Sequence, residues 1–304
     1  MSEVRGPATG TILGEEAKPP FAVLPDPSLL FINRARRFAA LATGHELEPY
    51  LAFLAVVSGA QHEIQADAPA PELPSLERIG QALEHGMPPL SRALYELDDL
   101  AIDTLERLLE RLAVAEVPAQ SAAAVQGLLA VPRRERRRVV GAALKEEFAA
   151  EDTADHAFAL AALQVQFARM AALLPASDLK PVAYGACPVC GSAPVASAIV
   201  GWPKAYNTRF CTCSLCGTMW NVVRVTCLLC SSTDGVNYRG IEGKSDSVKA
   251  ETCDKCRGYV KVLYQVKDPA LEPLADDVAT LGLDMLLRED GWTRGGRNPF
   301  LLGY

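Results

Sequence analysis

The sequence lacks a long apolar segment, a secretory signal and an excess of positive charge. No stretch approaches the ~20 consecutive apolar residues that a membrane-spanning helix needs. The first sixteen residues do not place charged residues before an apolar run. The net charge of −7 gives no general attraction to nucleic acid or to anionic lipid. We therefore expect a cytoplasmic protein that neither inserts into a membrane nor binds nucleic acid.

Cysteine is absent from the first 186 residues, and histidine is absent after residue 156. All nine cysteines lie between residues 187 and 256, so the composition predicts a domain boundary before the first of them. Thiols stay reduced in the cytoplasm, where closely spaced cysteines indicate metal ligands or redox groups rather than disulfides. The histidines lie far apart in sequence, which favours surface or packing roles over catalysis. They are His45, His62, His85 and His156.

Eight of the cysteines form four C-x-x-C pairs with a regular spacing. Each cysteine of the first two pairs is followed 40 residues later by a cysteine of the last two, and 22 residues separate the two pairs of each copy. The segment is therefore a tandem repeat of one unit. The candidate metal ligands of the first site are Cys187, Cys190, Cys213 and Cys216, and those of the second site are Cys227, Cys230, Cys253 and Cys256.

Each copy has the ligands of a tetrahedral four-thiolate site. One C-x-x-C turn supplies two thiolates, and two such turns complete a tetrahedron with metal–sulfur distances of about 2.3 Å. In the first copy Gly191 and Gly217 follow the second cysteine of each pair, where glycine accepts positive φ. Ser231 and Arg257 stand at these positions in the second copy. We therefore expect the second site to be looser in shape.

Between the two pairs of the first copy, an apolar run at 195–200 and a Gly-Trp-Pro turn lead into a second strand-like run. This order indicates a zinc-ribbon or rubredoxin-like hairpin. Four thiolates suit both Zn(II) and mononuclear iron. A closed four-thiolate site leaves no open position for a substrate. We therefore predict two metal ions that are structural, or redox-active if they are iron, and no catalytic or further cofactor-binding residues.

The ninth cysteine, Cys211, has no counterpart in the second copy, where Glu251 occupies the equivalent position. Free cysteine packs readily as a small apolar side chain, which favours a half-buried strand residue. A reactive thiol and an auxiliary metal ligand remain the alternatives.

Residues 187–268 contain ten Lys and Arg residues against six Asp and Glu residues, an excess that would favour nucleic acid. Eight thiolates holding two divalent ions add four negative charges, so the loaded segment is close to neutral. A zinc-ribbon nucleic-acid-binding protein is therefore only a minor alternative.

Residues 21–180 show helical periodicity and little that indicates a strand, so an all-α bundle is predicted. One helix is predicted to begin at Pro27, with Asp26 or Ser28 as its cap, and to stop at Gly44. Apolar stripes predict three further helices. The stripes are Tyr50, Phe53, Leu54, Val57 and Ile64; Leu90, Leu94, Leu97, Ala101, Leu105, Leu108 and Leu112; and Leu160, Leu163, Phe167, Met170 and Leu174.

The run RRERRR at 133–138 precedes another amphipathic segment. A solvated helix face is the preferred interpretation, and a docking surface for an acidic partner peptide is the alternative. Arg34, Arg36 and Arg37 are interpreted in the same way.

The C-terminal residues 271–290 predict one more helix. Asp276 and Asp277 are interpreted as first-turn charges that favour a helix N-terminus. The ending NPFLLGY is apolar enough to pack back on the body. The predicted apolar face of the helix is Leu274, Val278, Leu281 and Met285.

Together these patterns predict an α+β multidomain protein, in which an N-terminal all-α bundle precedes two tandem four-cysteine modules. The predicted parts are a flexible N-terminal tail (1–20), a helical bundle (21–180), a first rubredoxin-like module (181–224), a second one (225–268), and a C-terminal helix with a docking tail (269–304).

Several segments resemble the formate dehydrogenase accessory protein family, FdhE. They are LFINRARRFAALATGHELEPYLAF, CPVCG, RFCTCSLCGTMWNVVRVTCLLC, KAETCDKCRGYVKVLYQVKDP, LADDVATLGLDM and NPFLL. The resemblance runs from about residue 29 to the C-terminus and is most specific in the cysteine stretch.

The resemblance implies a cytoplasmic, non-enzymatic assembly factor for respiratory formate dehydrogenases, which binds the catalytic subunit before export. It also implies rubredoxin-like iron, so iron is preferred over zinc at both sites. Only the eight paired cysteines match the family's C-x-x-C motifs. An electron-transfer protein that acts on the client or its cofactor is the alternative, and the oligomeric state is left open.

Overall fold

The computed structural model describes residues 19–147, 149 and 152–302. The tail predicted over residues 1–20 therefore lies outside the described residues except for its last two, and Gly303 and Tyr304 lie outside them as well. Within these ranges, no helix combines the length and apolarity that crossing a membrane requires.

Seven of the nine α-helices in the described residues precede the first cysteine pair, and two follow the last. They are α1 (Pro27–Ala42), α2 (Glu48–Glu63), α3 (Leu76–Glu84), α4 (Asp99–Ala113), α5 (Ala119–Ala130), α6 (Arg133–Lys145), α7 (Thr153–Ala171), α8 (Pro273–Ala279) and α9 (Leu281–Glu289). Two 3₁₀ turns cover Arg92–Leu94 and Ala176–Asp178.

Helix α1 begins and ends at the residues that the sequence indicates. The Asp26 carboxylate accepts a hydrogen bond from the Ser28 backbone N–H at 2.9 Å, and Pro27 occupies the first turn, where its missing N–H costs nothing. Gly44, just beyond the helix, has a φ of +71°, which glycine adopts without strain. The prediction for this helix is confirmed.

The helix predicted over 90–112 is wrong at its start. Asp98 is the N-cap of α4, because its carboxylate accepts from the Ala101 N–H at 2.8 Å. Leu94 lies before this cap in a 3₁₀ turn and is 59% exposed. The stripe from Ala101 to Leu112 is buried as predicted.

The apolar face of α2 is rotated from the predicted one. Leu51 is fully buried, whereas Tyr50 is exposed and its hydroxyl donates to the Phe300 carbonyl at 2.5 Å. A tyrosine can lie at the edge of a core because its polar tip needs a hydrogen-bond partner or water. Leu54 and Val57 are buried as predicted.

Helix α7 confirms the helix predicted from the stripe that begins at Leu160, although it ends at Ala171, before Leu174. It runs through the centre of the bundle. Fourteen of its nineteen residues are buried, including polar Gln164 and Gln166, so it is covered on nearly every side. It packs against α4 and α6 in particular.

The arginine run 133–138 forms the first turns of α6 instead of preceding it. Arg133 donates to Asp103 and Glu106 of α4, and Arg136 donates to Glu106 at 3.0 Å. Only Arg134 and Arg138 in the run are exposed. Three of the six residues, Arg133, Arg136 and Arg137, donate to carboxylates near or in α4. The run is therefore neither a wholly solvated helix face nor an open docking surface.

The eight strands of the described residues form one mixed sheet. They are β1 (Ala22–Val23), β2 (Pro194–Val200), β3 (Thr208–Cys213), β4 (Met219–Val222), β5 (Val236–Arg239), β6 (Val248–Cys253), β7 (Gly258–Tyr264) and β8 (Thr293–Arg294). The order is β1-β4-β3-β2-β7-β6-β5, and β8 also pairs with β7.

The sheet reproduces the sequence repeat. Strands β2–β3–β4 and β5–β6–β7 are two antiparallel three-stranded units, and parallel pairing of β2 with β7 joins them, with Ser197 opposite Val262. Strand β1 pairs with β4 through Ala22 and Trp220. The prediction of an all-α segment from residue 21 is therefore wrong at its first residues, because this edge of the sheet takes up the extended chain before α1.

One continuous apolar core joins the bundle to the first cysteine copy and extends into the second through Val260 and Leu263. It includes Phe31 and Leu105 from the bundle together with Val195, Phe210 and Leu274. A separate small core lies between the second copy and α9. Its members are Ala250, Tyr259, Leu283, Leu287 and Trp292.

The single helix predicted over 271–290 is two short helices that meet at Thr280. The Thr280 hydroxyl donates to the Asp276 carbonyl at 2.7 Å and accepts from the Lys261 ammonium at 3.0 Å. A hydroxyl that bonds to the preceding turn competes with the helical backbone. Met285, placed on the predicted apolar face, is 53% exposed.

The C-terminal residues pack back on the bundle as expected. Phe300 and Leu301 are buried, and the Phe300 ring meets Phe38 of α1 edge to face with 6.1 Å between centroids.

Candidate metal centres

The structure brings the four predicted ligands of the first site together. The Sγ atoms of Cys187 and Cys216 are 3.6 Å apart, those of Cys190 and Cys213 are 3.4 Å apart, and all four lie within 4.8 Å of one another. A tetrahedron with metal–sulfur bonds of about 2.3 Å has sulfur–sulfur edges of about 3.8 Å. The arrangement therefore fits a four-thiolate metal ion with little movement.

Two tight backbone turns at the ends of strands place these thiols. Gly191 N–H donates to the Cys187 carbonyl at 2.9 Å, and Gly191 and Gly217 have φ of +77° and +74°. Backbone N–H groups also point at sulfur, because Leu215 N and Cys216 N lie 3.4 and 3.3 Å from Cys213 Sγ. Such donors stabilise a thiolate more than a thiol.

The electrostatics of the first site call for a cation at its centre. Burial raises the pKa of the Cys187 and Cys216 thiols well above their usual value. Burial opposes ionisation of Cys190 too, but hydrogen bonds from the three neighbouring thiols outweigh it and lower its pKa. Four thiolates can therefore coexist in this buried space only with a compensating positive charge, which a divalent metal supplies.

The second set of predicted ligands is also brought together. The Sγ atoms of Cys227 and Cys256 are 3.7 Å apart, and so are those of Cys230 and Cys253. All four Sγ atoms lie within 4.8 Å of one another. Cys227 and Cys253 are buried, whereas Cys230 and Cys256 are exposed.

The turns of the second site repeat those of the first with less suitable residues. Ser231 N–H donates to the Cys227 carbonyl at 3.0 Å, and Arg257 N–H to the Cys253 carbonyl at 2.8 Å. Ser231 and Arg257 have φ of +62° and +56°. Residues with a Cβ are strained in this region, in agreement with the looser site expected from the sequence.

Four thiolates complete the tetrahedral coordination shell of a metal ion. Such an ion would cross-link the two turns and, if it is iron, could also exchange one electron. Either set could hold one ion. Which metal binds stays a prediction.

Cys211 belongs to neither cluster. It lies in β3 opposite Ser197 and Trp220, as the strand prediction required, and is fully rather than half buried. Burial raises the pKa of its thiol to about 12, with the nearby Glu251 carboxylate also acting against ionisation and Arg209 favouring it.

Sequence reasoning missed a set of buried ion pairs around the second copy. Arg209 pairs with Glu251, and Lys261 pairs with Asp277 and Asp284, all of them almost fully buried. The sequence held one signal for the Arg209–Glu251 ion pair: Glu251 stands at the interior position of the repeat where the first copy has the uncharged Cys211.

The interpretations of the charged residues near the C-terminal helices and in α1 hold only in part. Asp276 lies in the first turn of α8 as predicted, and its carboxylate accepts from the Glu272 N–H at 2.7 Å, but it is buried and Arg37 donates to it through two hydrogen bonds of 2.6 and 2.8 Å. Asp277 lies beyond the first turn and is buried as well. Arg34 is buried instead of solvated and donates to Glu272 at 3.1 Å. Arg34 and Asp276 can be buried because a residue far away in the sequence supplies a partner of opposite charge. Arg36 alone of the three arginines is exposed.

The histidines have no place in either cluster. His156 is buried, and its Nδ1 lies 2.8 Å from the Asp152 carbonyl. His45 Nδ1 accepts from the Leu47 N–H at 3.0 Å. His85 is exposed and His62 is half-buried. These positions agree with surface and packing roles.

The fold and the two cysteine clusters define a class of protein in which a helical bundle carries a duplicated four-cysteine, metal-site-bearing sheet. Three family models match consecutive parts of the chain: "FdhE, N-terminal" at residues 19–184, "FdhE, central domain" at 186–224 and "FdhE, C-terminal domain" at 225–301. The chain belongs to the FdhE family.

Individual relatives agree with this assignment. A protein FdhE homolog of Rhizobium meliloti (strain 1021) is 40% identical over 296 residues, which are 97% of each chain. A second homolog, from Cronobacter sakazakii (strain ATCC BAA-894), is 36% identical over 90% of this chain and 88% of its own length. The crystal structure of the FdhE protein from Pseudomonas aeruginosa matches with a TM-score of 0.82 and 32% identity, over 94% of this chain and 99% of that one.

Proposed function

We propose that this protein is a cytoplasmic, non-enzymatic accessory factor for the maturation of respiratory formate dehydrogenase, and that it binds the catalytic subunit before export. The observation that carries the proposal is membership of the FdhE family along residues 19–301 together with two complete four-thiol sets.

The chemistry of the two sites supports a binding factor rather than an enzyme. Each set has four thiols within 4.8 Å, and an ion bound by all four has no position left for a substrate. On this proposal the sites hold iron in preference to zinc in rubredoxin-like modules. The helical bundle over 21–180 and the modules over 181–224 and 225–268 share the contact with the client, together with the C-terminal tail over 269–304.

The function is tested by complementation in a bacterium that lacks its own FdhE protein. Expression of this chain should restore formate oxidation by washed membranes under respiratory conditions. The matched variants are Cys190→Ser, which removes a predicted ligand, and Cys211→Ser, which alters the cysteine outside both clusters. Soluble protein at normal level without restored oxidation would refute the proposal.

Client binding is tested separately with purified components. The metal-loaded protein should bind the catalytic subunit at micromolar concentration, measured by calorimetry, with and without the export leader. If neither form of the catalytic subunit binds, the proposal that this protein docks on it is wrong. The complementation experiment would then decide by itself whether the protein is required for maturation.

Electron transfer to the client is a second candidate, which the exposure of Cys230 and Cys256 favours. Thiolates at the surface shorten the path from a rubredoxin-like iron to a partner. The test is elemental analysis and potentiometry of anaerobically purified protein. Two zinc ions per chain, or iron without a reversible couple, would eliminate this candidate while leaving the accessory role intact.

A further inference from the structure

The two four-cysteine sites differ most in what covers them. All four cysteines of the first site are buried, while half of those in the second are exposed. The sequence repeat makes the two sites chemically equivalent in ligand number and spacing. Their surroundings therefore decide whether a solute can reach each ion.

The helical bundle closes over the first site. Backbone N–H groups of Leu90 and Arg92 donate to the Val189 and Cys190 carbonyls at 2.8 and 2.9 Å, so a bundle segment is hydrogen-bonded along the first turn. The Gln164 side-chain amide of α7 donates to the Ser214 carbonyl in the second turn at 2.7 Å.

Apolar side chains complete this cover. A Cβ on Gly191 would meet Pro88 Cγ at 3.1 Å, and a Cβ on Gly217 would meet Leu30 Cδ2 at 2.9 Å. The bundle therefore touches both turns of the first site, and a side chain at either glycine would press on Pro88 or Leu30 in addition to straining the positive φ.

The second site is covered on one side only. Leu229 lies across Gly258 and Gly295 but is itself 42% exposed. The Arg257 guanidinium donates to the Asp290 carbonyl at 2.9 Å, which ties one turn to the segment after α9. The exposed Cys230 and Cys256 come from different turns, so both turns offer a thiol at the surface.

Hydroxyl groups support the first set of thiols and are missing from the second. Ser192 Oγ lies 3.4 Å from Cys190 Sγ, and Thr218 Oγ1 lies 3.2 Å from Cys216 Sγ. At the equivalent positions of the second copy, Ser232 is engaged with Asp234, and Gly258 has no hydroxyl. A hydroxyl at this distance can donate to a metal-bound thiolate, and a thiolate that lacks such a neighbour is more easily displaced from the metal.

We propose that the two sites have different functions: the first is a permanent structural site, and the second is the exchange site at which a soft metal ion can be gained or lost. Exchange is a ligand substitution. Each metal–thiolate bond that breaks is replaced by a bond to the incoming chelator, and the freed thiolates take up protons from water. The assignment does not depend on client binding, because its test contains no client.

The test uses full-length protein loaded anaerobically with two equivalents of Zn²⁺ and mixed with an excess of the chromogenic chelator 4-(2-pyridylazo)resorcinol. One equivalent should be released at least tenfold faster than the other. A pulse of N-ethylmaleimide after the fast phase, followed by peptide mass spectrometry, identifies the emptied site. We expect label on the second set of cysteines: Cys227, Cys230, Cys253 and Cys256.

A pair of neighbouring leucines on α1 tests the cover itself. Leu30→Ala should accelerate the slow phase several-fold and leave the fast phase unchanged. Leu29→Ala is the matched control, because Leu29 is 51% exposed and should alter neither phase.

Two results would overturn the assignment. Either release of both equivalents in one phase, fast or slow, or a fast phase that labels Cys187 and its three partners would show that cover does not separate the sites. The labelling of the unmodified protein decides the matter even if the Leu30 variant fails to fold.

Discussion

The Arg209 guanidinium donates to the Glu251 carboxylate at 2.7 Å, and this buried ion pair links the two copies of the repeat. Arg209 extends from β3 and also donates to Ser197 Oγ at 3.1 Å and to the Thr226 carbonyl at 3.2 Å. The Tyr238 hydroxyl donates to the other oxygen of Glu251 at 2.9 Å. The pair crosses the junction between β2 and β7, where the two sheet units meet.

Glu251→Gln should destabilise the protein by about 3–5 kcal/mol, because it leaves the Arg209 guanidinium buried without a counter-charge. Urea unfolding followed by circular dichroism measures the change. The double variant Arg209→Met/Glu251→Leu removes both charges and should recover most of the loss. A Glu251→Gln loss below about 0.5 kcal/mol would show that water or another group compensates the charge.

Lys261→Met should also cost about 3–5 kcal/mol, since Lys261 Nζ lies 2.5 Å from Asp284 and 3.3 Å from Asp277, both of them buried. Lys267→Met is the control. Its ion pair with Asp246 spans 3.8 Å at the surface and should contribute less than about 1 kcal/mol. Urea unfolding compares the two variants. An equal loss in the free energy of unfolding would show that burial does not make the Lys261 ion pairs more important than the surface pair of Lys267.

Arg136→Met should destabilise the bundle by about 1.5–3 kcal/mol. It removes charge-assisted hydrogen bonds to Glu106 at 3.0 Å and to the Leu128 carbonyl, in the last turn of α5, at 3.0 Å. Arg134→Met changes an exposed residue on the same helix and should stay within about 0.5 kcal/mol. Thermal unfolding compares the two. A loss of client binding in Arg136→Met without loss of stability would restore the docking interpretation.

Cys211 should make the protein less stable as the pH rises. Its pKa is raised to about 12 in the folded chain, against about 8.5 for a free thiol. A raised folded-state pKa favours folding below the unfolded value, and this contribution is lost as the pH rises from about 8.5 towards 12. Cys211→Ala removes the titrating thiol, so its stability should fall less steeply between pH 8.5 and 11.

The thiol reactivity of Cys211 gives an independent check of the same property. Iodoacetamide at pH 8 should leave Cys211 unmodified until the whole protein unfolds, because the thiol is buried and uncharged. Modification of native protein at a rate typical of exposed cysteine would show that β3 opens locally.

The ligand sets could be predicted from the sequence because their geometry is local. A C-x-x-C turn fixes two thiols within one turn of backbone, and the 40-residue repeat pairs the turns without further information. The cap of α1 was predictable for the same reason, since Asp26 and Ser28 are two residues apart.

The ion pairs and the unequal cover of the two sites could not be predicted in this way. Arg34 and Glu272 are 238 residues apart, and nothing in a charged residue identifies a distant partner. The cover of the first site depends on Leu30 and Pro88, which look like ordinary bundle residues in the sequence. The one local signal was the residue directly after each pair, which is glycine in the first copy and Ser231 or Arg257 in the second.

The position of Leu30 and Pro88 over the first site has a consequence for the order of events during synthesis. Both residues precede Cys187 in the chain, so the segments that cover the first site are synthesised before its ligands. On the proposed assignment, we expect an ion at the first site to be captured as the sheet closes against the bundle, so that its identity records the metal present during folding. At the proposed exchange site, we expect the ion instead to reflect the metal supply throughout the life of the finished protein.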